Sequence, residues 1–146
     1  MQKNDFFLIE DFLPYILTQA AETVSANFQP FYKGKYGILR TEWRVLFHLG
    51  NFGQMTARDI GINAKTHKTK ISRAVFRLEK KKYLKRTTSE DDRRLEFLSL
   101  TEKGLVVYED LKEAAEDFEK KIIRNFTESE VLVLRQCLKK LEENFD

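Results

Sequence analysis

His67-Lys-Thr-Lys-Ile-Ser-Arg-Ala-Val-Phe-Arg-Leu-Glu79 is the stretch that decides the fold of this chain. Ile71, Ala74, Val75 and Leu78 share one stripe at 100° per residue, while Thr69, Arg73 and Lys80 fall opposite, flanked by Ser72 and Arg77. The pattern predicts a helix from about His67 to Lys82, apolar inward and basic outward. Immediately upstream, Thr56 with Asp59 three residues on can cap a shorter helix whose buried side would be Ala57, Ile60 and Ala64. Only Lys65-Thr66 separates the two helices. Two short helices joined so tightly make a helix-turn-helix, whose second helix can enter a DNA major groove.

Downstream the period changes. Leu84 to Thr88 and Leu95 to Leu100 are β-leaning runs separated by the polar turn Ser89 to Arg94, which predicts a hairpin placed to act as a wing. Thr101 then caps a long helix with Gly104, Tyr108, Leu111, Ala115, Phe118, Ile122 and Phe126 on one face. Thr127 and Glu130 form a capping box for a last helix, where Val131, Leu134, Leu138, Leu141 and Phe145 make a heptad-like row. Upstream, Phe6, Ile9, Leu13, Ile16, Leu17, Ala20, Val24 and Phe28 predict one long amphipathic helix to about Phe31, which either begins near Phe12 or bends at Pro14. Gly34 and Gly37 mark a loop. Trp43, Leu46, Phe47 and Leu49 give the second helix, which Gly50 is expected to close.

The fold class is therefore mainly α with a small β-hairpin wing. A single domain spans 1–146, with a winged helix-turn-helix lobe at about 41–100 and dimerisation helices at about 1–40 and 101–146. Apolar rows in the terminal helices are longer than a lobe of this size could cover alone, which points to a homodimer.

Charge distribution singles out the same segment. Between Lys65 and Arg86 stand ten bases and one acid, Glu79, whereas Leu105 to Asp146 holds eleven acids and seven bases. So basic a middle segment is the electrostatic footprint of a polyanion partner, because its self-repulsion goes unrelieved without one. The chain has 146 residues, of which 42% are hydrophobic and twelve are Phe, enough for one sizeable core and too many apolar groups for a disordered chain. No apolar run approaches the roughly 18 residues of a membrane span, and Met1 to Asp5 lacks the pattern of a secretory signal, so a cytoplasmic location is expected. The single Cys137 excludes an internal disulfide framework, and no zinc-ligand spacing accompanies it. It reads as a small apolar helix residue. No metal or cofactor is expected.

On the predicted groove helix, Arg73 suits a guanine edge, and Lys68, Thr69, Lys70 and Ser72 suit phosphate or base contacts. His67 helps to begin the helix, and Arg77 flanks the basic face. Phe76 points outward beside Arg73. It could touch a thymine methyl, or be shielded against the wing or a neighbouring protomer.

These residues resemble the MarR family of transcriptional regulators over essentially the whole chain. The stretch from His67 is similar to the family's recognition helix. Asp92-Arg-Arg94 followed by Leu98-Ser-Leu-Thr-Glu-Lys-Gly104 resembles its wing and the start of its fifth helix, and Glu42-Trp-Arg-Val-Leu46 resembles its second helix. The resemblance implies a dimer on double-stranded DNA with a pseudo-palindromic operator, commonly a repressor released by a small, often aromatic anion. On the wing it implies Arg94 in the minor groove with Asp92 orienting it, and Arg93 is the competing candidate; Arg86, in the basic run that enters the hairpin, is a further candidate contact. A cleft bounded by the first, second and fifth helices would offer Tyr36, Trp43 and His48 to an effector, although the same aromatics suit a core. Lys65 and Lys82 stand where the family usually has Gly, and a left-handed Lys costs on the order of 1 kcal/mol. The family's thiol-based peroxide sensors carry their cysteine early in the first helix, where this chain has none.

Two other classes are open to test. An enzyme would rest on His48 and His67 with scattered carboxylates, but no nucleophile-base pair, phosphate loop or metal motif accompanies them. A winged-helix module that binds only proteins is disfavoured by Arg73 and Arg94.

Overall fold

The computed structural model describes residues 7–145. The chain forms two compact units, one up to Lys112 and one from Glu113 on. A short 3-10 turn, Ile9–Asp11, precedes helix α1, Leu13–Tyr36. Of the two readings of Pro14, the structure takes the first: Phe12 is the extended cap, and Pro14 sits in the opening turn, where a missing N–H leaves no acceptor unserved. Phe6 lies outside the described residues. The helix runs further than Phe31, through Pro30 and past Gly34, which belongs to the helix and not to a loop. Burial of Phe28 and Tyr32 in this stretch outweighs the weak local preference of two poor helix formers. The stop comes at Gly37, at φ 63°, whose N–H bonds to the Lys33 carbonyl at 2.9 Å.

Helix α2 spans Arg40–Phe52 and buries Val45, Leu46 and Leu49. Gly50 does not close it. A Cβ there would lie 2.3 Å from the nearest carbon of the Tyr108 ring, so this glycine exists for packing, and Gly53 ends the helix. Thr56 caps α3, Ala57–Asn63, by accepting from the Asp59 N–H at 3.1 Å. Ile60 and Ala64 are buried as expected, but Ala57 is exposed, because the inward stripe of so short a helix reaches only its second half.

In the turn that follows, Lys65 adopts φ 49° and the Thr66 N–H bonds back to the Gly61 carbonyl at 3.0 Å. Helix α4, Lys68–Lys80, then buries Ile71, Ala74, Val75 and Leu78, the stripe read from the sequence. Lys82, at φ 64°, leads through Tyr83 into the hairpin of β1, Leu84–Thr88, and β2, Glu96–Leu100, paired antiparallel from Leu84↔Leu100 to Thr88↔Glu96. Met55 adds a bridge to Leu98, exchanging backbone hydrogen bonds of 3.1 and 2.7 Å, and thereby ties the hairpin to the segment before α3.

Helix α5 spans Glu102–Ile122, ending short of Phe126. Its first turn is fixed by Thr101, whose hydroxyl donates to the Lys82 carbonyl at 2.6 Å and accepts from the Gly104 N–H at 3.0 Å. Gly104 is obligatory here: a Cβ would sit 1.8 Å from the Tyr83 carbonyl oxygen. The core of the first unit is Ile38, Val45, Leu46, Ile60, Ile71, Leu78 and Leu98, all essentially inaccessible.

In the second unit, Thr127 and Glu130 cap α6, Glu128–Glu143, reciprocally at 3.1 Å in both directions. Arg135 on α6 pairs with Glu119 on α5 at 2.9 Å. No residue of α6 is buried, and Cys137 is exposed.

Candidate nucleic-acid interface

The exposed face of α4 begins at its cap. The His67 ring Nδ1 accepts from the Thr69 N–H at 3.1 Å, which satisfies one of the otherwise unpaired donors of the first turn. Lys68, Thr69, Lys70, Ser72 and Arg73 are all exposed, and among the described residues Lys68, Lys70 and Arg73 enter no ion pair. Unneutralised cations on a rigid helix form an anion-facing surface whose geometry needs no rearrangement. Phe76 stands among them, 59% exposed.

Arg77 and Arg86 differ from that group. Arg77 lies 3.6 Å from Glu42, a carboxylate that is 2% exposed and also accepts from the Leu39 N–H at the start of α2. The pair couples the opening of α2 to the middle of α4. Arg86, expected as a wing contact, is held between Glu79 at 3.0 Å and Glu96 at 3.1 Å. Burial opposes its charge, but the two carboxylates outweigh burial and raise its pKa above the ordinary guanidinium value. Its place is a clamp between α4 and the hairpin, and two acids already balance its charge.

The wing tip is tightly folded. The Ser89 N–H bonds to the Leu95 carbonyl and the Leu95 N–H to the Asp92 carbonyl, both at 3.0 Å. The Asp92 carboxylate accepts from the Arg94 backbone N–H at 3.0 Å and from its Nε at 3.3 Å. The contact engages Nε, on a side chain that is 92% exposed. Arg93 is exposed as well, without such a tether.

The three effector-cleft candidates each have partners of their own. Trp43 is half-buried in an aromatic cluster, with Phe28, Tyr32 and Phe47 at ring-centroid distances of 5.5, 5.6 and 5.0 Å, and Phe47 meets Tyr108 of α5 at 5.4 Å. Burial is the main reason the Tyr32 hydroxyl titrates above its ordinary value, a rise that Trp43 partly offsets. His48 is five residues on, about 140° around the helix from Trp43, and its Nδ1 donates to the Arg44 carbonyl at 2.6 Å. Tyr36 donates to Asp110 of α5, which also pairs with Lys35 at 2.8 Å. Two further contacts had no signature in the sequence: the Lys81 ammonium donates to the Tyr36 carbonyl at 3.3 Å, and Arg44 donates to the Ala64 carbonyl at 3.0 Å. Both involve residues distant in sequence whose own pattern marks them only as surface bases.

Among the described residues no cluster of His, Cys, Asp and Glu could hold a metal ion, and no helix is long and apolar enough to cross a membrane.

A helix-turn-helix with a basic second helix, followed by a hairpin with an oriented arginine at its tip, defines the winged-helix class. The sequence profile of the MarR family matches residues 36–95. A helix-turn-helix-type transcriptional regulator of Bacillus subtilis (strain 168), MhqR, is 34% identical over 112 residues, covering 75% of this chain and 76% of that protein. A MarR/EmrR family transcriptional regulator from Acinetobacter sp. ADP1 superimposes with a TM-score of 0.87 at 29% identity, over 96% of this chain and 99% of the other. The fold is shared, at 23% identity and a TM-score of 0.78, with Streptococcus pneumoniae FabT, whose crystal structure is a complex with DNA, over 93% and 96% of the two chains. The chain belongs to the MarR family of transcriptional regulators.

Proposed function

We propose that the protein is a cytoplasmic, homodimeric repressor that binds a pseudo-palindromic operator in duplex DNA and is released by a small effector. The observation that carries the reading is the pairing of two preformed elements: the unneutralised cations on α4 and the Asp92-held Arg94 on the wing. With α4 in the major groove, Lys68 and Lys70 lie toward phosphates and Arg73 toward a base edge. A hairpin following that helix reaches the adjacent minor groove, where narrow A·T-rich sequence concentrates negative potential and favours an inserted guanidinium. Asp92 lowers the ordering cost of that insertion by holding the arginine extended before DNA arrives.

Dimerisation is supported by the exposed Leu132, Leu134 and Leu138 of α6 and by Leu8, Ile9 and Leu13 around the start of α1. Two lobes would then address half-sites about 34–36 Å apart. Effector control draws on the family resemblance and on the aromatic cluster around Trp43, which could open around an apolar ring bearing an anionic handle.

An electrophoretic shift with the DNA upstream of the protein's own gene, at stated salt, tests the reading. A sequence-dependent shift that weakens steeply with salt is the expected result. A folded protein that shifts no upstream fragment even at low salt refutes it in favour of a protein-binding module.

A further inference from the structure

Thr69, Arg73, Phe76 and Lys80 recur at spacings of four, three and four residues, and so occupy a single stripe on the outer face of α4. Three of the four can hydrogen-bond. Phe76 cannot, yet it stands at the centre of the stripe, 59% exposed, with no aromatic partner among the described residues. It forms the apolar floor of a hollow bounded by Ser72, Arg73, Arg77, Lys80 and Arg86.

An isolated exposed phenyl is ordinarily unremarkable on a protein surface. Here its neighbours settle what it meets. Arg77 and Arg86 on its rim are matched by carboxylates, but Arg73 and Lys80 enter no ion pair among the described residues, and two unmatched cations beside the ring favour an anionic polymer over an apolar protein face. Within the major groove, base edges present donors, acceptors and one apolar group, the 5-methyl of thymine. A phenyl ring gains nothing from the donors and acceptors, and would leave them desolvated and unpaired if pressed against them.

We infer that Phe76 packs on the 5-methyl group of a thymine in each half-site and is a specificity-determining residue of this regulator. The inference rests on the DNA-binding reading above. It places the methyl contact one helical turn beyond the base contact of Arg73, so the thymine lies on the side of that base toward which the C-terminal end of α4 points.

The test is a thymine-to-deoxyuridine scan of the footprinted upstream site with the full-length protein, because deoxyuridine removes the methyl and leaves pairing intact. One deoxyuridine per half-site should weaken binding of the dimer about fifteenfold, about fourfold for each of the two buried methyl-sized groups removed. Phe76→Ala should bind the thymine operator more weakly by a similar factor, lose discrimination at that position alone, and keep the native circular dichroism. Phe76→Leu, which retains an apolar contact, should restore part of the preference. If wild type binds the fully deoxyuridine-substituted operator as tightly as the natural one, or Phe76→Ala keeps the wild-type thymine preference at every position, the inference is overturned while DNA binding stands. If wild type shifts no upstream DNA at all, the DNA-binding reading falls and the inference with it.

Discussion

Helices α4 and α6 are both amphipathic and of similar length, thirteen and sixteen residues, yet they treat their apolar faces in opposite ways. The face of α4 is fully buried by its own chain, and what it leaves outside is cationic. In α6 no residue is buried, and Leu132, Val133, Leu134 and Leu138 remain exposed. The difference teaches which surfaces are complete in one chain. A helix whose apolar stripe is satisfied within its own unit can offer its polar face to a ligand, whereas a helix with an uncovered stripe must find a second chain to hide it.

The contrast can be broken at the lobe first. Gly104→Ala would force a Cβ into the Tyr83 backbone, so thermal or urea unfolding should show a loss of about 3 kcal/mol or more. A near-neutral result would mean that the α5 start is not locked to the hairpin. At the other pole, placing lysines at Leu134 and Leu138 together should move sedimentation from about twice the 17.3 kDa chain mass to the monomer while helical content persists. A persisting dimer would show that this stripe is covered by something other than a second copy.

On the ligand face, Arg94→Ala should weaken operator binding by roughly 1–3 kcal/mol, most on A·T-rich flanks. Asp92→Ala should weaken it less, but in the same direction, although it removes a negative charge. Tighter binding by the Asp92 variant would refute the orienting role. A change of opposite sign to the Gly104 substitution is expected at Gly34, where nothing lies within 4 Å of an added Cβ: Gly34→Ala should stabilise by up to about 1 kcal/mol.

The smallest effect concerns the tie between α1 and α5. Hydrogen bonds from Lys35 and then Tyr36 hold the Asp110 carboxyl below the usual carboxylate range. Its contribution is therefore present above its unfolded value and lost as pH falls through the folded one. Lys35 is raised, chiefly by the Asp110 hydrogen bond, and Tyr36 is raised by burial and then by Asp110, so their contributions hold below about pH 10 and fade above it. Asp110→Asn should flatten the acid limb of a stability profile below about pH 4 and, through Lys35, part of the alkaline limb above about pH 10, while the share that burial of Tyr36 contributes remains. Unchanged acid and alkaline limbs would show that the tie carries no stability.

Much of the lobe was legible because its signals are local. The α4 stripe, the Thr56 cap and the hairpin all depend on residues within a few positions of one another, and so does the Thr127 cap of α6 outside the lobe. The glycines were harder to read. Gly34 reads as a loop marker and Gly50 as a helix end, but one lies in an open helix and the other makes room for Tyr108, 58 residues away in sequence. Arg86 reads as one more wing base because it stands in a run of bases. Glu79 and Glu96 claim it only once the hairpin folds beside α4.

The sequence by itself determined the order of the helices and the wing and which face of α4 carries charge, because periodicity and capping are set by neighbours along the chain. Tertiary structure decided which of the bases stay unpaired, that Glu42 is buried beneath Arg77, that Met55 joins the hairpin, and that Trp43, Tyr36 and His48 face three different surroundings. Such outcomes depend on which distant residues meet, and a side chain's charge and shape specify what it can bond to without specifying which partner the fold brings within reach.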